Sequence, residues 1–226
     1  MLGFEISKRK FFIDTDTASD DAVALLMALE TPDVEVLGIS IVSGNMPVDQ
    51  GSINARYTVE ICKKNTQVYV GYDKPILKKR EHADWFHGPD GMGNMNYPDP
   101  KIEENKEDYK DVLNSLIQQN PHEITLVTLG PLTNIANFIK KYPEAFQNIK
   151  NIVIMGGAAN TVGNVTPAAE YNIWCDPEAA DIVFQSGHPE ITMVGWELCR
   201  GDANLTEEEM EILYSFNTEK GNFTID

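Results

Sequence analysis

Short runs of β-branched and apolar residues alternate along the whole chain with longer segments of helical period, and no repeat, low-complexity tract or Pro/Ser linker interrupts them. Consecutive parallel strands need a crossover, usually helical, so this alternation leads to a parallel sheet covered on both faces. Strands are expected at Phe11 to Thr15, Val36 to Val42, Val68 to Val70, Ile124 to Leu129, Ile152 to Met155 and Ile191 to Val194. Several are continuously apolar, as doubly covered strands must be. Helices fall between them at Asp21 to Glu30, Ser52 to Lys63, Lys110 to Gln119, Leu132 to Lys140, Pro177 to Gln185 and Glu207 to Phe216. Thr206 with Glu209 three residues on forms a capping box for the last, and Pro177 behind Asp176 opens its helix where a missing N–H costs nothing. The expected fold is one α/β domain of three layers, α/β/α, with a mainly parallel sheet.

Charge narrows the partners. Thirty-five acidic against 18 basic residues leave a formal charge of −17, which argues against nucleic acid or an anionic membrane surface and favours a cation. No apolar run approaches the ~20 residues that cross a bilayer. The N-terminal stretch MLGFEISKRKFF lacks the apolar core of a secretory signal, so the expected address is the cytoplasm. Cys62, Cys175 and Cys199 are odd in number and far apart, which suggests neither a disulfide framework nor a thiolate metal site; they read as small buried residues.

Two stretches break the rhythm: Tyr72 to about Asp108, a loop so long that in a compact domain it is usually functional or mobile, and Gly156 to Pro167. Ligands of an open parallel sheet bind beyond the carboxyl ends of the strands. There the first strand runs into Asp14, Asp16, Asp20 and Asp21, four carboxylates within eight residues. Capping a helix accounts for one of them. Held so close, they must take up protons or share a cation, and an oxygen-only donor set suits Ca²⁺ or Mg²⁺ better than Zn²⁺. Ser43-Gly44-Asn45, Leu129-Gly130-Pro131-Leu132-Thr133-Asn134 and Met155-Gly156-Gly157-Ala158 follow other strands and converge on the same cleft. Gly163-Asn164-Val165-Thr166-Pro167-Ala168-Ala169-Glu170-Tyr171-Asn172 adds two amides and a carboxylate, a kit for gripping sugar hydroxyls.

These residues carry a resemblance. IDTDTASDDAVAL resembles the metal-binding DTDPGxDDAxAL of the inosine/uridine-preferring nucleoside hydrolases, and SGN, TLGPLTNIA, IMGGA, GNVTPAAEYN and DPEAA recur in that family's order across the chain. The resemblance implies a Rossmann-like domain over residues 1–226, without the C-terminal portion in which the family carries a further metal-ligating Asp and often an adjacent His. It implies hydrolysis of the N-glycosidic bond of a ribonucleoside, with Ca²⁺ held by Asp16, Asp21 and the backbone carbonyl of Leu129, and Asp14 as a further candidate ligand. Asp16 would also be the general base that takes a proton from the attacking water. Asp20, Asn45, Asn164, Glu170 and Asn172 would hold the ribose, Met155 would pack against the sugar, and a homodimer or homotetramer is implied.

The long loop resembles the family's active-site flap, so His87 could approach the base and Trp85 could stack on it or pack beneath the loop. His122 and His188 read as surface turn residues beside prolines. Two other readings compete. Asp14-Thr15-Asp16-Thr17 imitates the nucleophile motif of haloacid-dehalogenase-like phosphatases, in which Asp14 would attack phosphorus and Mg²⁺ would be the metal. The other is a catalytically silent nucleoside- or ribose-binding protein.

Overall fold

The computed structural model describes residues 8–225; the first seven residues, part of the stretch read for a signal segment, and Asp226 lie outside them. At the centre β1 (Arg9–Thr15) pairs with β2 (Val34–Ile41) on one side and β4 (Ile124–Thr128) on the other. Outside them, β3 (Val68–Val70) joins β2, while β5 (Asn151–Met155) joins β4 and β6 (Ile191–Val194) joins β5. The order is β3-β2-β1-β4-β5-β6 and every pairing is parallel, the doubly wound arrangement.

Alternation along a strand sends successive side chains to opposite faces, and β1 shows both destinations. Ile13 meets Ile39 and Ile41 under α1 (Ser19–Glu30) and α2 (Val48–Ile61), which contribute Leu25, Leu29, Ala55 and Val59. Phe12, next to it, joins Leu126, Ile152 and Ile154 on the other face. That face is covered by α4 (Tyr109–Gln119), α5 (Thr133–Lys141), α6 (Pro143–Gln147) and α8 (Pro177–Phe184). The expected three layers are therefore present.

All six strands and six helices expected from the sequence occur, with ends shifted by up to four residues. Five-residue α6 and α7 (Tyr171–Cys175), one-turn α3 (Asp84–His87) and α10 (Glu219–Ile225) were not anticipated, because one or two turns are too short to show a helical period. The capping box of α9 (Glu207–Ser215) forms, Thr206 Oγ1 accepting from the Glu209 N–H while Glu209 accepts from the Thr206 N–H. Asp176 caps α8 with Pro177 in its first turn. Ahead of α1, Ala18 is extended at φ −102°, so the turn from β1 needs no glycine there.

Candidate active site

Because the strands run one way, β1, β2, β4 and β5 all end at one edge, and the crossovers leave for opposite faces at the gap between β1 and β4. Asp16 sits at this gap, just past β1, and is fully buried. Its Oδ2 accepts a hydrogen bond from the Asn45 N–H, while its Oδ1 has no partner among the described residues. A Cβ at Gly44 would lie 2.1 Å from Oδ2 and one at Gly130 would lie 2.6 Å from Oδ1. The glycines after β2 and β4 thus let two backbone segments close on the carboxylate from either side.

Asp21, in the first turn of α1, is 6% exposed and accepts a bond from the Ala18 N–H at 3.1 Å. Burial pushes the Asp16 carboxyl up to about 7, with the charge of Asp20 adding to it. Asp21 is likewise held well above the usual carboxylate range by burial and by the charges of Asp16 and Asp20. Asp14 lies beneath them, fully buried; its Oδ1 accepts from the Ser40 hydroxyl and, at 2.7 Å, from the Asn134 amide. Its Oδ2 is unpaired, and burial lifts its pKa to about 7. Buried carboxylates with unpaired oxygens hold protons or a cation. The unpaired Oδ1 of Asp16 and the all-oxygen donors around it fit a hard divalent ion. Among the described residues no three His, Cys, Asp or Glu side chains are grouped to hold a metal, so the fit rests on a carboxylate pair and backbone carbonyls.

Other residues singled out in the sequence gather on the β4 and β5 side. The Asn172 amide donates to the Leu129 carbonyl at 2.7 Å and contacts Met155 Sδ at 3.1 Å. Glu170, 2% exposed, caps α7: Oε1 accepts from the Asn172 N–H at 2.9 Å, and Oε2 accepts from Gly157 at 2.8 Å and Ile173 at 3.3 Å. Asn164 is exposed and joins this group through its Oδ1, which accepts from the Tyr171 N–H at 2.8 Å. Asp20 is exposed at the start of α1. His87 is half-buried on the flap, its Nδ1 3.1 Å from Ser19 Oγ.

Several expectations are corrected. Trp85 does not pack beneath the loop: α3 turns it outward, 81% exposed, with its ring edge-on to Phe86. His188 is not a surface turn residue. It is 7% exposed, its Nε2 donating to the Ile149 carbonyl at 3.0 Å and its Nδ1 accepting from the Glu190 N–H at 3.2 Å, with its ring edge-on to Phe146. His122 is exposed in a turn as expected. Cys62 and Cys175 are buried, whereas Cys199 is only half-buried.

The profile of the inosine-uridine preferring nucleoside hydrolases matches residues 11–226. The chain belongs to this family. It is 41% identical over 188 residues to uridine nucleosidase 1 of Arabidopsis thaliana, covering 82% of this chain and 56% of that protein. It is equally identical over 197 residues to the pyrimidine-specific ribonucleoside hydrolase RihB of Escherichia coli, covering 85% and 61%. Among solved structures, the purine-preferring ribonucleoside hydrolase of Gardnerella vaginalis superposes with a TM-score of 0.89 at 34% identity, over 96% of this chain and 69% of that one. The chain thus spans about 60% of the length of the curated relatives it matches. Membership of this family displaces the phosphatase reading, and Asp14, sealed beneath Ser40 and Asn134, is in no position to attack phosphorus.

Two residues of the site were not singled out as such from sequence. Asn134 lay in a quoted strand-end segment but reads there as a residue of a helix's first turn; in the fold its amide joins Asp14 to the Ile41 carbonyl and its Oδ1 accepts from the Tyr72 N–H at 2.8 Å. Asn54 lies mid-helix in α2, where a buried polar residue among apolar ones was the available signal.

Proposed function

We propose that the protein hydrolyses the N-glycosidic bond of ribonucleosides to ribose and free base, using Ca²⁺ held by Asp16, Asp21 and the Leu129 carbonyl, with Asp14 as a further candidate ligand. The observation that carries this reading is Asp16 Oδ1, buried, unpaired and clamped between the positions of Gly44 and Gly130. When bound, the cation acidifies a water and anchors the sugar diol. Asp16 takes the proton from the attacking water. Asp20, Asn45, Asn164, Glu170 and Asn172 hold the ribose hydroxyls and Met155 packs against the sugar. The buried carboxylates offset the positive charge that develops at the anomeric carbon. His87 stands on the flap, where the base would leave.

The same reading makes the protein a cytoplasmic homodimer or homotetramer. Among the described residues no helix is long and apolar enough to cross a membrane. The names of the relatives point to pyrimidine and to purine nucleosides alike, so the test uses both. Base release from inosine, uridine and cytidine is measured with excess Ca²⁺ and then with EDTA, with Asp16→Asn as control. Release that needs Ca²⁺ and disappears in Asp16→Asn is the expected result. Ribose binding that needs Ca²⁺, with no base released, would replace hydrolysis by nucleoside binding.

A further inference from the structure

The flap is a small wound unit. The Asp90 carboxylate accepts from the backbone N–H groups of Met92 and Asn94 at 2.9 Å and Asn96 at 3.2 Å, and the Gly93 N–H returns to the His87 carbonyl at 2.9 Å. These bonds tie residues 87–96 into one unit that includes His87. Beside it lies an open pocket of about 230 Å³ lined by Gln50, Asn54, Tyr57, Asp90 and Asn96, while Met92 of the flap packs against Ala22 and Ile61. Besides the Ser19–His87 contact and the packing of Met92, the flap is joined to the aspartate loop by Asn54. Its amide, 4% exposed in the residue as a whole, donates to the Asp90 carbonyl at 3.0 Å and to the Thr17 carbonyl at 3.0 Å. Its Oδ1 accepts from Gln50 Nε2 at 2.9 Å, which fixes the orientation of the amide so that both protons face the two carbonyls.

Thr17 is the residue between Asp16 and the turn that presents Asp20 and Asp21. One side chain on a helix that supplies none of the proposed ligands thus joins the aspartate loop to the flap. We infer that Asn54 is a positioning residue of the active site, holding the flap in register over the aspartate loop and thereby placing His87 relative to Asp20. Its catalytic consequence rests on the hydrolase reading; the structural tie does not. A helix built for stability alone would carry Ala or Leu at this buried position, since Asn is a poorer helix former. Asn is required because two carbonyls on separate loops need donors from one planar group.

The test uses Asn54→Ala, which favours α2 while removing both donors, and Asn54→Asp, which keeps the shape but faces both carbonyls with an acceptor. Hydrogen exchange is followed across residues 14–21 and 87–97, with β1, β4 and β5 as internal controls. Both loops are expected to exchange faster together, by about tenfold, with the strands unchanged. With Ca²⁺ and nucleoside, kcat/KM is expected to fall by about 10- to 100-fold, the scale of a misplaced catalytic group. Ca²⁺-dependent binding of ribose alone, in which His87 has no part, is expected to weaken less than kcat/KM falls. Asp90→Ala unwinds the flap by another route, so combining it with Asn54→Ala should cost no more than the worse single change. Unchanged exchange in the two loops, or effects that multiply in the double variant, would overturn the inference. The exchange arm reads the tie even if the unsubstituted protein releases no base, a result that would count against the hydrolase reading instead.

Discussion

A fully buried carboxylate whose second oxygen has no partner opposes folding, and Asp16 is such a group. Replacing it with Asn removes the charge while keeping an oxygen for the Asn45 N–H. Without a divalent cation, Asp16→Asn is therefore expected to melt at the same temperature as the unsubstituted protein or higher, although it abolishes base release; a lower melting temperature would mean the charge already has a partner. At His87 burial shifts the pKa in the opposite direction from Asp16. Burial holds its pKa below 6.5, with the charge of Asp20 opposing. The folded state binds this proton less tightly than the unfolded chain, so this group costs no stability above pH 6.5 and costs increasingly as pH falls below it. Comparing melting curves with His87→Gln across that range, the unsubstituted protein should lose stability faster toward acid. Equal slopes would place His87 in water.

At the scale of elements, α7, which sequence periodicity missed, and α8, which it found, are both started by buried carboxylates. Glu170 starts α7, and Asp176 starts α8 while also gripping two distant segments. The Asp176 carboxylate is fully buried and accepts from the Ala179 N–H at 3.1 Å, the Ile76 N–H at 3.0 Å and the Thr133 hydroxyl at 2.5 Å. Sequence placed Pro177 at the first helical position behind Asp176; the structure adds that Asp176 caps that helix, and its bonds to Ile76 and Thr133 come from residues 100 and 43 positions away. Asp176→Ala leaves three donors without this acceptor, and a buried unpaired donor costs about 1–3 kcal/mol. Destabilisation by about 3 kcal/mol or more in urea is expected, against about 1 kcal/mol for loss of a cap alone. The smaller value would show that water replaces the distant contacts.

For the whole molecule, the decisive feature is the sheet order, which puts the end of β1 beside the end of β4 where the crossovers diverge. A cation bound there stabilises only the folded state. At a free Ca²⁺ concentration 100 times Kd the gain is about 2.7 kcal/mol, a rise in Tm of about 5 to 10 °C for a chain of this size. EDTA should reverse it and Asp16→Asn should lack it; a shift that persists in Asp16→Asn would place the ion elsewhere. The sequence by itself determined the strands, the main helices, the parallel class, the aspartate cluster and the family, because periodicity, capping pairs and the spacing of Asp14, Asp16, Asp20 and Asp21 are local properties. Only the tertiary structure decided that Asp14 is sealed beneath Ser40 and Asn134, that Gly44 and Gly130 close on Asp16, that His188 is buried and that Asn54 bridges two loops. Each of these rests on contacts between residues 26 or more positions apart, the burial of His188 included, since its ring bonds Ile149, 39 positions away. Such contacts follow from which strand ends the crossovers bring together, and the chain's local pattern does not encode that order.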